Sequence, residues 1–102
     1  MISHVVMLGL ADNHDTDELA QVVTGLAALK DTLPGFTGFD HGPNRDYERK
    51  SPGFPYGFIC RFSDRAALDA YATDPRHLQL GARLVTLCGG DARNILVYDI
   101  ES

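Results

Sequence analysis

Histidine is the side chain best suited to moving protons near neutral pH, and two of the four in this chain stand where that ability has a use. His4 lies among Ile2, Val6 and Leu8, so its ring is aimed at an apolar region. His77 follows Asp74-Pro75-Arg76, just inside a segment that a proline opens, with Tyr71 six residues before it. A neutral imidazole working with a tyrosine can take a proton from the carbon beside a carbonyl and steady the oxyanion that results. In that scheme His77 is the base, Tyr71 orients it, and His4 or Tyr56 donates a hydrogen bond to the substrate. The plainer role is structural: a histidine on an apolar strand can bond a backbone carbonyl, and His77 can brace the start of a helix.

Other chemistries find less in the residues. His41 stands beside Asp40, but no HxH or HxxxH spacing accompanies it, so no metal is expected. Acid–base groups suffice for enolisation or aldol chemistry, so no cofactor is expected either. Gly89-Gly90 follows an apolar helical pattern instead of opening one, which rules out a phosphate cradle. No GxSxG elbow exists, and Asp91 and Asp99 read as separate strand-edge acids. His14, in Asp12-Asn13-His14-Asp15, is expected in solvent. Arg45, Arg49 and Lys50 read as a solvated loop face, while Tyr47 and Phe54 of the same loop read as cover for a pocket mouth or a partner subunit.

The elements that must carry these residues follow from periodicity. Residues 2–10 alternate as a strand, with Ile2, His4, Val6, Leu8 and Leu10 on one side and Ser3, Val5, Met7 and Gly9 on the other. Asp15 caps a helix, with Glu18 placed for a capping box and Leu19, Val22, Val23, Leu26 and Leu29 as its apolar stripe. Pro34-Gly35 ends it and residues 36–41 form a second strand. A polar loop, 44–55, leads to a third strand over 56–62, with Tyr56, Phe58, Cys60 and Phe62 on one face. Ser63 caps a helix to about Thr73, Pro75 opens another to about Cys88, and residues 93–100 make the last strand.

The order is βαββαβ, an α+β ferredoxin-like plait: a four-stranded antiparallel sheet with helices on one face. One helix layer covers one face only, yet the first strand is apolar on both. A bare apolar sheet face rarely stays exposed on a monomer, so two copies are expected to pack sheet to sheet in a two-fold homodimer.

Size and charge agree with a single domain: 102 residues, 44% hydrophobic and 23% charged. The net charge of −5 repels phosphate backbones, so nucleic acid is not an expected partner. No apolar run approaches the roughly 20 residues that cross a bilayer, and no membrane role is expected. Met1-Ile2-Ser3-His4 has no basic start or cleavage site, so the cytoplasm is the expected location. Cys60 and Cys88, far apart and outside any CxxC pair, read as reduced core residues.

Several short stretches resemble the stress-responsive A/B barrel family, or Dabb domains, of the dimeric α/β-barrel superfamily. They are His4-Val5-Val6, Pro34-Gly35, Gly42-Pro43-Asn44, Tyr56-Gly57-Phe58, Phe62 through Leu68 with Tyr71, Asp74-Pro75-Arg76-His77, and Val97-Tyr98-Asp99. The resemblance spans nearly the whole chain and implies a dimeric α/β barrel. Family members include stress proteins of no known reaction and a plant polyketide cyclase, and similar folds include monooxygenases. The cyclase pattern has histidines where His4 and His77 stand and a tyrosine at Tyr71. It differs at Tyr56, where it has a histidine, and at His41, where it has a bulky aromatic. The resemblance thus implies a pocket between sheet and helices. His4, Tyr71 and His77 would be its catalytic group, with Val6, His41, Tyr56, Phe58 and Leu84 around a small aromatic or keto-acid ligand. The alternative is a non-catalytic stress or interaction protein in which the same residues fill a solid core.

Overall fold

The computed structural model describes all residues, Met1–Ser102. Its elements are β1 (Ile2–Leu8), α1 (Thr16–Leu29), β2 (Phe36–Pro43), β3 (Tyr56–Phe62), α2 (Arg65–Thr73), α3 (Pro75–Leu87) and β4 (Ile95–Glu101). The strands form one antiparallel sheet in the order β2-β3-β1-β4. This is the expected ferredoxin-like plait, with the second helical region broken at Asp74.

One sheet face carries the core. Ile2, Val6 and Leu8 of β1, Phe36 of β2, and Phe58, Cys60 and Phe62 of β3 are buried. Against them pack Leu19, Val22, Val23, Leu26 and Leu29, the whole predicted stripe of α1, with Leu68, Tyr71, Leu84 and Leu87 from the other helices. The opposite face has no helix. By register it presents Val5 flanked by Ile59 and Tyr98, Met7 flanked by Gly57 and Leu96, and Ile100 beside Ser3. Tyr98 and Ile100 are 51% and 58% exposed, too open for residues of their kind unless something covers them.

The helix starts follow capping chemistry, with two departures from expectation. Asp15 caps α1, accepting from the N–H groups of Asp17 and Glu18 at 2.9 and 3.1 Å. Glu18 does not complete a capping box; it binds Arg83 of α3 at 2.9 and 2.5 Å and ties the two helices together. Asp64, not Ser63, caps α2, accepting from Ala67 N–H at 2.9 Å. Ser63 N–H donates to the Gly35 carbonyl at 2.8 Å. Gly35 has φ of +82°, and a Cβ there would lie 2.7 Å from both Ala67 Cβ and Ser63 Oγ. Only glycine admits this close approach.

Asp74 both ends α2 and caps α3. Its backbone is extended, φ −65° and ψ 130°, as the residue before Pro75 must be, and its carboxylate accepts from Arg76 N–H at 2.8 Å. This joint fixes the relation of Tyr71 to His77.

The strand limits also shift. β1 ends at Leu8 instead of Leu10, although Gly9 N–H still donates to the Asn94 carbonyl, in line with the β4 register, at 2.7 Å. β2 runs on to Pro43, and β4 starts at Ile95, after a 3₁₀ turn over Ala92–Asn94 that Asp91 caps. His14 is half-buried, its Nδ1 2.7 Å from the Ala11 carbonyl, and not free in solvent. The 44–55 loop is ordered by its own polar groups. Asn44 donates to Ser51 Oγ and the Phe54 carbonyl, and Asp46 accepts from the N–H groups of Lys50 and Ser51. Tyr47 at its tip is 91% exposed and covers nothing within its own subunit. No helix is long and apolar enough to cross a membrane.

Candidate functional site

Alternation along β1 turns His4 toward the helices, and register places it opposite Cys60 on β3 and Asp99 on β4. Its Nδ1 lies 2.6 Å from Asp99 Oδ1. An ionised carboxylate only accepts, so Nδ1 carries the hydrogen and Nε2 is left as the free ring nitrogen. The His4 side chain is 14% exposed and that of Asp99 48%, so the pair spans from the core to open solvent.

His77 is fixed in a similar way by a backbone group. Its Nδ1 lies 3.1 Å from the Ala72 carbonyl, which can only accept, and Nε2 again keeps its lone pair. Burial holds its pKa below the ordinary histidine range; the Ala72 bond opposes this and a charged His4 adds to it. The folded protein therefore binds this proton more weakly than the unfolded chain. The stability involved is fully present above the unfolded value near 6.5 and is lost as pH falls toward the folded midpoint. Ring titration by NMR, with the His77 signal assigned by a His77→Gln variant, should put its midpoint below the ordinary histidine value. That variant should flatten the slope of stability against pH below about 6.5. A midpoint at or above the ordinary value would contradict this burial.

Tyr71 lies between the two imidazoles. It is 1% exposed, its ring centroid 4.2 Å from His77, 5.1 Å from Phe62, 5.3 Å from Phe36 and 5.9 Å from His4. Its hydroxyl meets Cys60 Sγ at 3.8 Å and no imidazole nitrogen. Burial raises the pKa of Tyr71 and pushes the Cys60 thiol up to about 12, so neither ionises near neutrality. Tyr71 and His77 are in ring contact, with no hydrogen bond between them.

The remaining predicted site residues are placed elsewhere. Tyr56 stands opposite Leu8, four positions along from His4, which is about 13 Å at strand rise. It shares a 2.6 Å hydrogen bond with the exposed His41, beside Phe39 stacked on Phe58. Val6, Phe58 and Leu84, expected around a ligand, are 4%, 3% and 5% exposed members of the packed core. The fold thus brings together His4, Tyr71 and His77, and sets His41 with Tyr56 as a second polar pair.

Two openings adjoin these groups. A cleft of about 490 Å³ runs between β1 and β4 on one side and α2 on the other, lined by Ile2, His4, Arg65, Leu68, Asp69, Ala72, Asp99 and Glu101. Arg65 binds Asp69 at 2.9 Å across its rim. A shallower hollow of about 340 Å³ lies at the β2–β3 end, where Gly42 and Gly57 pair beside Met7. Asp99 and Arg65 are the residues that sequence reasoning missed. Asp99 alternates with Val97 as His4 does with Val6, but only the adjacency of β1 and β4 makes that meaningful.

Sheet order, helix layer and polar cleft define a ferredoxin-like α+β domain. Residues 2–102 match the family model described as the Stress responsive A/B Barrel Domain, and the chain belongs to this Dabb family. A dimeric ferredoxin-like protein of unknown function from Jannaschia sp. CCS1 is 46% identical, with 99% of this chain and 98% of that one covered and a TM-score of 0.93. The hydroxynitrile lyase from Passiflora edulis is 15% identical over 97% of this chain and 90% of its own, with a TM-score of 0.79. SnoaB, a cofactor-independent oxygenase from Streptomyces nogalater, is 18% identical over 99% and 91%, with a TM-score of 0.76. The last two show a shared fold. No curated protein matches the chain.

Proposed function

We propose that this Dabb protein works as a homodimer and that the β1–β4–α2 cleft is a small-molecule site for acid–base chemistry without a cofactor. The observation that carries the reading is the 2.6 Å contact of His4 Nδ1 with Asp99 at the wall of an open cleft. A carboxylate on one ring nitrogen sets the tautomer and steadies the imidazolium that forms when the other takes a proton. His4 then takes the part of base that the sequence suggested for His77. Its Nε2 removes a proton beside a carbonyl, and the imidazolium returns it to oxygen or carbon, giving enolisation or ring closure. Tyr71 and His77 act from behind as positioning residues. The uncovered sheet face supports the homodimer, as does the dimeric relative at 46% identity. The cytoplasmic location belongs to the same proposal and is supported by two free, buried cysteines.

Proton exchange tests this directly. In deuterated buffer, with phenylacetone as an enolisable probe, the protein should accelerate loss of the α-proton NMR signal. Asp99→Asn should slow that exchange by about 10²-fold, the usual scale of a positioned acid–base group, and His4→Ala should remove it. Exchange at the buffer rate, or full rate in both variants, would sink the reading. In its place would stand a non-catalytic dimer, which the filled core around Val6, Phe58 and Leu84 favours.

A further inference from the structure

We infer that the cleft admits a small organic cation, an ammonium group on an apolar body, in preference to a carboxylic acid. This rests on the reading of the cleft as a ligand site and names the ligand class it would take. Ile2, Leu68 and Ala72 supply an apolar wall, and the polar side is made by His4, Asp99, Asp69, Glu101 and Arg65. Three carboxylates face one guanidinium. The lining is therefore net −2 with a neutral imidazole and −1 with a protonated one, negative in either state.

The one cation is held within the lining, since Arg65 Nε donates to Asp69 Oδ1 at 2.9 Å while its Nη groups stay free. The other arginines that form ion pairs are used elsewhere: Arg61 with Asp40, Arg76 with Asp74, Arg83 with Glu18 and Arg93 with Asp91. By contrast Asp99 uses only Oδ1 on His4, and Glu101 enters no ion pair. Asp99 Oδ2 and the Glu101 carboxylate are thus free acceptors at the edge of an apolar wall. An ammonium group brings N–H donors to such carboxylates, whereas an acid would lose water beside two like charges with only the Nη groups of one guanidinium to offset them. The net charge of −5 over the whole chain adds a long-range bias of the same sign. The keto-acid suggested by family resemblance is therefore the disfavoured class, and an amine-bearing carbonyl compound the favoured one.

Three probes of one shape separate the cases: benzylamine, benzyl alcohol and benzoate, titrated into the full chain and followed by amide shifts of Asp69, Ala72 and Asp99. Benzylamine should bind about tenfold more tightly than benzoate at low salt, and the ratio should shrink at high salt. Glu101→Gln should cut the ratio of benzylamine to benzoate affinity several-fold. Benzoate or the alcohol binding at these amides as tightly as the amine would overturn the ligand class and leave the cleft reading standing. If none of the three moves these amides, both fall together.

Discussion

Replacing Tyr71 with alanine is expected to cost about 3–5 kcal/mol of folding stability, the scale of a fully buried aromatic truncated in a packed core. Tyr71 is 1% exposed and touches rings from β1, β2, β3 and α3: His4, Phe36, Phe62 and His77. Its loss leaves a void where three strands meet two helices, and it frees both imidazoles from their common neighbour. Tyr71→Phe is the informative companion. The hydroxyl it removes makes a 3.8 Å contact with the Cys60 sulfur, a weak partner, so the change should stay within about 1 kcal/mol. Urea denaturation checks both, and the His77 ring shift checks the positioning. In Tyr71→Phe that shift should hold; in Tyr71→Ala it should move toward a solvent value. A phenylalanine variant as damaged as the alanine one would mean that the hydroxyl, not the ring, is what the core needs.

Much of this fold was legible because its signals are local. Asp15 before an apolar stripe, Pro75 after an extended Asp74, and Gly89-Gly90, both at positive φ after α3, are each decided within a few residues. Choice of cap at α2 was ambiguous: Ser63 and Asp64 are adjacent good caps, and Asp64 is the one that accepts from Ala67 N–H.

The candidate site shows a deeper limit. Period two tells which face a strand residue takes, and on that ground His4, His41, Tyr56 and Phe58 belong together. It does not give height along a neighbouring strand. Register puts Tyr56 level with Leu8 and His4 level with Asp99, so residues on one face divide into two polar groups. The His4–Asp99 contact joins the first strand to the last across 95 residues, with no local trace. Whether space remains between sheet and helices depends on how Val6, Phe58 and Leu84 interlock, a property of volumes in three dimensions and not of pattern.

Ile59→Asp is expected to separate the proposed sheet-to-sheet homodimer while leaving the subunit folded. Ile59 stands on β3, in the interior of the sheet, with Val5 beside it on β1 and Asp40 on β2. Alternation with the buried Phe58 and Cys60 turns it away from the core, onto the face that also carries Met7, Leu96, Tyr98 and Ile100. In the proposed dimer a two-fold axis through that face would double every substitution. Each dimer would have to bury two new carboxylates beside two existing ones, with Arg61 of each subunit already bound to Asp40. An unpaired charge costs several kcal/mol to bury, so association should weaken by at least about 10³-fold. Sedimentation equilibrium should show wild type as a dimer and Ile59→Asp as a monomer with unchanged far-ultraviolet circular dichroism; Ile59→Val should remain dimeric. Exposing this face should also raise binding of an apolar dye in the variant alone. A wild-type monomer at about 10 μM, weaker than a specific interface of ordinary size should give, would mean the apolar face has another cover. An Ile59→Asp protein that still pairs would place the contact on a different surface of the plait.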